Sequence, residues 1–154
     1  MLDERFGPAR HNRTAYRLRD GVKPIAPLCL VAREGERLVG SVQCWPLQLR
    51  TVDGRRCPLV LLGPVAVTLD RESEGIGSLL MQAVLARADA GSGLPMVLIG
   101  DEPYYGRFGF SVAATGGWQV PGPVVRARLL MRGPADVLPT LGWLEPAAEG
   151  RAAA

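Results

Sequence analysis

Short apolar runs between turn residues dominate the first two thirds of the chain and predict β-strands. They cover residues 28–32, 37–45, 59–67 and 96–99. A turn at Glu34-Gly35-Glu36 joins the first two runs into a predicted hairpin. The third run is apolar at almost every position, which is typical of a central strand buried on both faces.

One long amphipathic helix is predicted over residues 75–89. Its apolar residues recur at helical spacing, at Ile76, Leu79, Leu80, Ala83 and Val84. Two short helices are also predicted, one over residues 12–19, with Tyr16 reaching the core, and one that starts near Pro103. Asp101 is placed to cap the latter helix.

The last predicted strands cover residues 110–113 and 124–131. The order of all these elements predicts an α/β fold of the mixed α+β type, in which helices cover a mixed sheet. We expect one domain over residues 1–146, since a chain of 154 residues can form one core of ordinary size. The Ala-rich end, residues 147–154, is expected to be a disordered tail.

Pro46, in the second apolar run, indicates a bulge or a sheet edge at that position.

The composition narrows the class of protein. The net charge of +3, from 18 basic and 15 acidic side chains, is too small to indicate nucleic acid as the main ligand. The longest apolar run, residues 58–67, is too short to cross a membrane, and the first residues do not read as a signal peptide. Three widely spaced cysteines, Cys29, Cys44 and Cys57, favour neither a disulfide framework nor a metal site. We therefore expect a cytoplasmic protein without a metal, a nucleic-acid partner or a membrane partner.

The segment between the third strand and the long helix has the features of an anion site. It reads Glu72-Ser73-Glu74-Gly75-Ile76-Gly77-Ser78. Glycines let the backbone approach a ligand, and a helix N-terminus supplies unpaired N–H groups and a positive dipole end. The segment therefore predicts a site for phosphate or pyrophosphate. A purely structural tight turn would explain the two glycines equally well.

Gly63-Pro64 interrupts the central apolar strand. Proline removes a donor from the hydrogen-bond ladder, so we expect a bulge that separates this strand from the next. The backbone of Val65, Ala66 and Val67 would then border a gap. There, the N–H and C=O groups of Val65 and Val67 can pair with an amide-rich chain such as pantetheine. An ordinary bulge without a ligand is the alternative.

Tyr104 and Tyr105 follow the fourth strand. Adjacent side chains on a helix point in different directions, so one ring can pack while the other offers a hydroxyl. Acyl transfer to an amine requires a proton for the departing thiolate, and a neutral tyrosine can supply it. Core packing of both rings is the alternative.

These three segments, in this order, resemble the GNAT superfamily of N-acetyltransferases. Residues 62–67 resemble the family's bulged strand, and residues 72–77 occupy its Gln/Arg-x-x-Gly-x-Gly/Ala loop. Tyr105 matches the tyrosine of its Tyr-x-x-x-Gly-Phe motif. The longer pattern Gly-Asp-x-x-Tyr-Tyr-x-Arg-Phe-Gly-Phe, which ends at Phe110, resembles a subgroup of bacterial GNAT proteins. The resemblance implies a mostly antiparallel mixed sheet with splayed central strands, flanked by helices.

The resemblance also implies an activity, in which acetyl-CoA donates its acetyl group directly to an amine. Tyr105 is then the general acid, and the backbone of residues 65–67 and 72–78 binds the donor. Asp101 is the candidate base, with helix capping as its alternative role. Arg107 is a candidate contact of a CoA phosphate, with a surface ion pair as its alternative. The acceptor is a small molecule or a peptide, and its expected contacts are His11, Trp45 and Trp118. Many members of the family are dimers, so a homodimer is also expected.

Two features depart from the family's pattern. Glu72 stands where the family has Gln or Arg, and Glu74 adds a second acid. A carboxylate ~6 Å from a phosphate costs ~0.7 kcal/mol at the dielectric of water and ~3 kcal/mol at an effective value near 20. Arg71 is adjacent, so we expect weakened rather than abolished binding. The family also has a strand before its first helix, whereas this sequence is expected to start inside that helix, so either the start is truncated or the sheet lacks its first strand.

Three other functions stay open at this point. One is a degenerate GNAT domain that acts as an acyl-CoA-binding or interaction module without catalysis, an alternative motivated by Glu72. The second is an acyltransferase that uses another acyl-CoA or a hydroxyl acceptor. The third is an unrelated protein that binds a phosphate-bearing ligand.

Overall fold

The computed structural model describes residues 14–147, and this part of the chain forms one seven-stranded sheet with helices packed on it. The strands are β1 Leu30–Glu34, β2 Arg37–Arg50, β3 Arg56–Val67, β4 Met96–Ile99, β5 Gly117–Gln119, β6 Leu129–Arg132 and β7 Leu141–Pro146. The helices are α1 Thr14–Arg17, α2 Ile76–Ala90 and α3 Glu102–Tyr105. Short 3-10 turns cover Ala26–Leu28, Leu69–Arg71, Gly106–Phe108, Arg126–Arg128 and Ala135–Val137.

The sheet is mixed and mostly antiparallel, as predicted. Its order is β5-β7-β2-β3-β4-β6, and β1 pairs with the first half of β2. Because β3 runs along one side of β2, both β1 and β7 lie along its other side, one after the other. Parallel pairing occurs between β3 and β4 and between β5 and β7, and the remaining pairs are antiparallel. The expectation that the family's first strand is absent concerns the residues before Thr14, which lie outside the described range.

β3 is the central strand because its side chains enter a core on each face of the sheet. Val60 and Leu62 belong to the cluster that α2 covers, whereas Leu59 and Leu61 belong to the cluster around Trp118. This alternation explains why the strand is apolar at nearly every position. In the described part of the chain, no helix is long and apolar enough to cross a membrane.

On the side of β2 away from β3, strand pairing stops at Val42 and resumes at Leu47, so Pro46 produces no bulge but does lie at a local sheet edge, one of the two predicted alternatives. It pairs with Val60 inside β2, and its carbonyl accepts a hydrogen bond from the N–H of Ala147 at 3.2 Å. Since β7 ends at Pro146, the donor that proline lacks would fall at the end of the β2–β7 ladder, where its loss costs little. Ala147, which we assigned to the tail, is fully buried, and residues 148–154 lie outside the described range.

The first strand is shifted by two residues, and the first helix ends earlier than predicted. Leu28 belongs to a 3-10 turn that includes Pro27, and β1 begins at Leu30. α1 covers part of the helix predicted over residues 12–19, whose first two residues lie outside the described range. Tyr16 is half-buried rather than in the core.

The sequence patterns of the last third were misleading. Ser111 forms one isolated bridge with Met131, and residues 112–116 are turn rather than strand. Residues 124–128 precede β6 as irregular backbone and a 3-10 turn. β5 and β7 were missed, because β5 has three residues and exists through its parallel pairing with β7. Such a pairing partner, distant along the chain, leaves no local pattern.

Close packing of β5 against β7 gives a test of the fold. A Cβ atom at Gly117 would overlap the backbone oxygen of Thr140, so Gly117→Ala should force the two strands apart. We expect a loss of about 3 kcal/mol in the free energy of unfolding. Gly116→Ala is the matched control, since no atom lies within 4 Å of its Cβ position. Urea unfolding compares the two variants, and equal stabilities would contradict this packing.

Candidate active site

A gap opens between β3 and β4. The two strands pair at Val60 with Met96 and at Leu61 with Val97, and beyond these positions they diverge. The cavity that begins in the gap has a volume of about 1150 Å³. Its walls come from α1, the second half of β3, the end of β4, α3 and residues 123–125. The structure therefore contains the splayed central strands that the sequence predicts.

One extra residue in β3 produces the divergence. Val42 and Cys44 of β2 pair with Val65 and Leu62, so three steps along β3 oppose two steps along β2. The extra residue lies at the cis peptide bond Gly63-Pro64. This is the bulge that we predicted at Gly63-Pro64.

The bulge leaves the backbone of Val65 and Val67 directed into the gap. The N–H of Thr68 donates to the carbonyl of Val39 in β2 at 2.9 Å, so Thr68 faces β2. Because backbone groups alternate in direction along a strand, Ala66 also faces β2, whereas Val65 and Val67 face away from it. β4 no longer pairs with β3 at that level, so these N–H and C=O groups border the gap.

The segment before α2 contains two residues in the left-handed backbone conformation. Ser73 and Gly75 have left-handed φ values of 68° and 82°. Left-handed residues at alternate positions form a concave nest of N–H groups, which suits an anion. The first hydrogen bond of the helix runs from the N–H of Leu79 to the carbonyl of Gly75 at 3.0 Å, so the N–H groups of residues 76–78 point out of the helix end.

Both acids of this segment are exposed, and Arg71 forms a hydrogen-bonded ion pair with Glu34 while its charge still interacts with Glu74. Arg71 donates hydrogen bonds through Nε and Nη2 to the carboxylate of Glu34 in β1. The expectation that Arg71 offsets the negative charge of Glu72 and Glu74 is thus weakened. The backbone N–H groups remain as the donors of this site.

Arg107 lies against the first turn of α2. Its Nη2 donates to the Ser78 hydroxyl at 3.0 Å, and its guanidinium lies 4.3 Å from the centre of the Tyr104 ring. A Cβ atom at Gly77 would lie 3.3 Å from the Tyr104 hydroxyl and 3.8 Å from Val67. The structure therefore brings the loop, the end of β3 and Arg107 together. An ion pair of Arg107, the alternative that we considered, does not occur among the described residues.

Tyr105 is the more enclosed of the two adjacent tyrosines. Its ring packs so tightly on Gly100 that a Cβ atom there would overlap it, and it makes an edge contact with Phe110. Burial raises the pKa of the Tyr105 hydroxyl, with smaller contributions in the same direction from Tyr104 and Asp101. Tyr105 is therefore protonated at neutral pH and lines the same cavity as the β3 bulge.

Asp101 occupies the N-cap position of α3, but its side chain does not cap the helix. Its Oδ1 atom accepts a hydrogen bond from Nε of Arg128 at 3.1 Å. The prediction that the Asp101 side chain caps α3 is therefore wrong. Asp101 lines the same cavity as Tyr105.

The three predicted acceptor contacts lie in different surroundings. Trp118 is fully buried and donates its indole N–H to the carbonyl of Pro139 at 3.0 Å, so it supports the core instead of binding a substrate. Trp45 lies behind the cavity wall, where its indole N–H holds the carbonyl of Gly63 at 2.7 Å. His11 lies outside the described residues.

Sequence reasoning missed Arg19 and Arg128 as cavity residues, because no local pattern shows that their elements meet.

Comparison with known proteins decides the family. A family model described as an acetyltransferase (GNAT) domain matches residues 2–113. The chain belongs to the GNAT family. The match covers the bulged strand, the loop before α2 and Tyr105. Among the described residues, no group of three or more His, Cys, Asp or Glu side chains is placed to hold a metal ion.

Solved GNAT structures share this fold. An N-acetyltransferase of Escherichia coli (YhbS) in complex with CoA is 25% identical, with a TM-score of 0.64 over 77% of this chain and 66% of that one. A GNAT acetyltransferase from Brucella melitensis in complex with acetyl-CoA is 29% identical, with a TM-score of 0.56 over 78% of this chain and 66% of that one.

A more distant relative agrees in fold alone. Naa50 of Arabidopsis thaliana, solved with a bisubstrate analogue, is 19% identical with a TM-score of 0.52 over 84% of each chain. The chain spans 66% of the length of the Escherichia coli and Brucella melitensis proteins. A comparison with curated proteins found no match.

The raised pKa of Tyr105 predicts a pH dependence of stability. In the unfolded chain a tyrosine ionises near pH 10, whereas the folded protein keeps Tyr105 protonated to higher pH. The free energy of unfolding should therefore fall as the pH rises above about 10, since the unfolded chain releases its proton first. In Tyr105→Phe, this fall should be shallower. Urea unfolding between about pH 9 and pH 11 measures both slopes, and identical slopes would contradict the burial of the hydroxyl.

Proposed function

We propose that this GNAT protein is an N-acetyltransferase that transfers the acetyl group of acetyl-CoA directly to an amine. The observation that carries the proposal is the gap beyond the β3 bulge, bordered by the backbone of Val65 and Val67. Further support comes from the two neighbours solved with CoA and with acetyl-CoA.

The residues around the gap fit this donor. Its pantetheine arm carries amides, which the free N–H and C=O groups of Val65 and Val67 can pair with as an added strand would. Its pyrophosphate suits the N–H groups of residues 73–78 at the N-terminus of α2. Gly77 permits a close approach there, and Arg107 offers a cation beside Ser78.

The chemistry needs a proton acceptor and a proton donor from this chain. When bound, acetyl-CoA supplies an acetyl group activated as a thioester. A C–N bond to the amine forms as the C–S bond breaks. Asp101 accepts the proton that the amine nitrogen loses, directly or through water, and Tyr105 donates its proton to the departing sulfur. The products are an N-acetylated amine and a free thiol.

The setting of the reaction stays a prediction. We propose a cytoplasmic protein of bacterial origin that forms a homodimer and has neither a nucleic-acid partner nor a membrane partner. The three cysteines are free thiols in the structure, which is compatible with a reducing compartment.

A second candidate is an acyl-CoA-binding module without catalysis. The exposed acids Glu72 and Glu74 favour it, because they place negative charge beside the predicted pyrophosphate site and Arg71 is engaged by Glu34. Catalysis separates this candidate from the enzyme, since both would bind the donor.

Calorimetric titration with acetyl-CoA tests donor binding. We expect a dissociation constant on the order of 10 μM, within the range typical of enzyme substrates. Acetylpantetheine, which lacks the pyrophosphate, is the matched control ligand and should bind at least about tenfold more weakly, through loss of charge-assisted hydrogen bonds. Absence of acetyl-CoA binding at millimolar concentration would exclude both the enzyme and the acyl-CoA-binding module.

Tyr105→Phe tests catalysis separately from binding. The variant keeps the ring on Gly100 and removes the hydroxyl, so the rate of thiol release should fall by about 10²- to 10⁴-fold. The affinity for acetyl-CoA should stay unchanged in calorimetry and serves as the internal control. An unchanged rate would show that Tyr105 is not the general acid.

A further inference from the structure

One ion pair in the cavity wall has polar atoms that are available to hydrogen-bond a ligand. Arg128 and Asp101 both line the cavity, and they share one hydrogen bond, from Nε to Oδ1. The other carboxylate oxygen, Oδ2 of Asp101, and the two amino groups of Arg128 have no partner among residues 14–147. Their side chains are 73% and 47% exposed, so a ligand in the cavity can reach them.

The backbone holds the two residues side by side. The N–H of Gly100 donates to the carbonyl of Arg128 at 2.9 Å, and Ile99 pairs with Leu129 in the neighbouring strand. On the other side, the N–H of Arg128 donates to the carbonyl of Val125 at 2.9 Å. Strand pairing thus fixes the position of the free atoms, and the side-chain hydrogen bond orients them.

The free atoms have complementary charges in adjacent positions. The planar guanidinium of arginine matches a carboxylate with two parallel hydrogen bonds. The free oxygen of Asp101 can accept a hydrogen bond from an amine, and Asp101 is also the proposed base. A ligand that satisfies both must therefore carry a carboxylate close to the amine that is acetylated.

We infer that the acceptor is a free α-amino acid, whose carboxylate binds Arg128 and whose α-amine is held by Asp101. The inference rests on the proposed function and names its substrate class. In an α-amino acid, both charged groups are attached to one carbon atom, which suits a binding pair joined by a single hydrogen bond. The remaining cavity wall, which includes Tyr16 and Val124, is available to the side chain of the amino acid.

The far side of the cavity favours a small acceptor over a lysine on a folded protein. Residues 121–123 are tied to α1, since Nη1 of Arg17 donates to the carbonyl of Pro121 at 3.1 Å and the Thr14 hydroxyl donates to the carbonyl of Pro123. Thr14 and Pro123 thus form part of the cavity wall. The cavity volume of about 1150 Å³ has room for a small molecule beside the acyl donor.

The first test compares matched acceptors. Each of the twenty standard L-amino acids is assayed with acetyl-CoA for thiol release, against its amide and against the amine that lacks the carboxylate. We expect at least one amino acid to be acetylated with a KM about tenfold to a hundredfold lower than that of its amide and its decarboxylated amine. Equal or better turnover of the two analogues that lack the carboxylate would overturn the inference.

The second test changes the arginine. Arg128→Gln should raise the KM of the preferred amino acid by about tenfold to a hundredfold, with a smaller effect on kcat, and should remove its advantage over the amide. Arg128→Lys, which keeps the positive charge but cannot donate two parallel hydrogen bonds, should restore part of the affinity. Arg33→Gln is the charge-matched control, because Arg33 lies in β1, away from the cavity, and should behave as the wild type. An unchanged KM in Arg128→Gln would overturn the inference.

Calorimetry distinguishes the failure of this inference from that of the proposed function. The amino acid is titrated into protein saturated with CoA, and binding that Arg128→Gln weakens without loss of acetyl-CoA affinity supports the inference. If acetyl-CoA binds and no amino acid is acetylated, the inference fails while the donor site stands. If acetyl-CoA does not bind, the proposed function fails, and the inference fails with it.

Discussion

The extra residue of β3 at Gly63-Pro64 is the constraint on which the candidate site depends. Before it, β3 is hydrogen-bonded on both sides, to β2 and to β4, and its apolar side chains fill both cores. After it, the backbone stays paired with β2 but has lost β4. A strand that kept both partners would have no free N–H or C=O groups for an amide-bearing ligand. The indole of Trp45 holds the carbonyl of Gly63 in place, so the core supports the bulge directly.

Arginine side chains join the elements around this gap, while apolar packing supplies the stability. Arginine provides all but one of the 18 basic side chains. Exposed ion pairs contribute about 0–1 kcal/mol each, so their main effect here is orientation. These ion pairs connect β1 to the turn after β3, β2 to the same turn, and β6 to α2, through Arg71–Glu34, Arg37–Asp70 and Arg132–Asp89. A hydrogen bond from Arg107 to Ser78 connects the 3-10 turn after α3 to α2. The hydrogen bond from Arg37 lowers the pKa of Asp70 to about 2, so that pair persists across the physiological pH range.

Sequence reasoning succeeded where a local pattern determines the structure. The continuous apolar run predicts a central strand, Gly63-Pro64 predicts its bulge, and helical spacing predicts α2 within one or two residues of its observed bounds. It failed where a distant partner determines the structure. β5 and β7 exist through each other, and burial of Trp118 follows from that pairing, so an exposed aromatic contact was wrongly expected there.

The same distinction separates the proposed chemistry from the choice of acceptor. Asp101 and Tyr105 lie within one turn, since the carbonyl of Asp101 accepts the N–H of Tyr105 at 2.9 Å. A short segment that follows β4 therefore positions both the proposed proton acceptor and the proposed proton donor, and its sequence pattern is recognisable. Arg128 comes from the 3-10 turn just before β6 and reaches Asp101 because β6 pairs with β4. If the inference about Arg128 holds, a substitution there should change which amine is accepted and leave the backbone of the turn from Asp101 to Tyr105 intact.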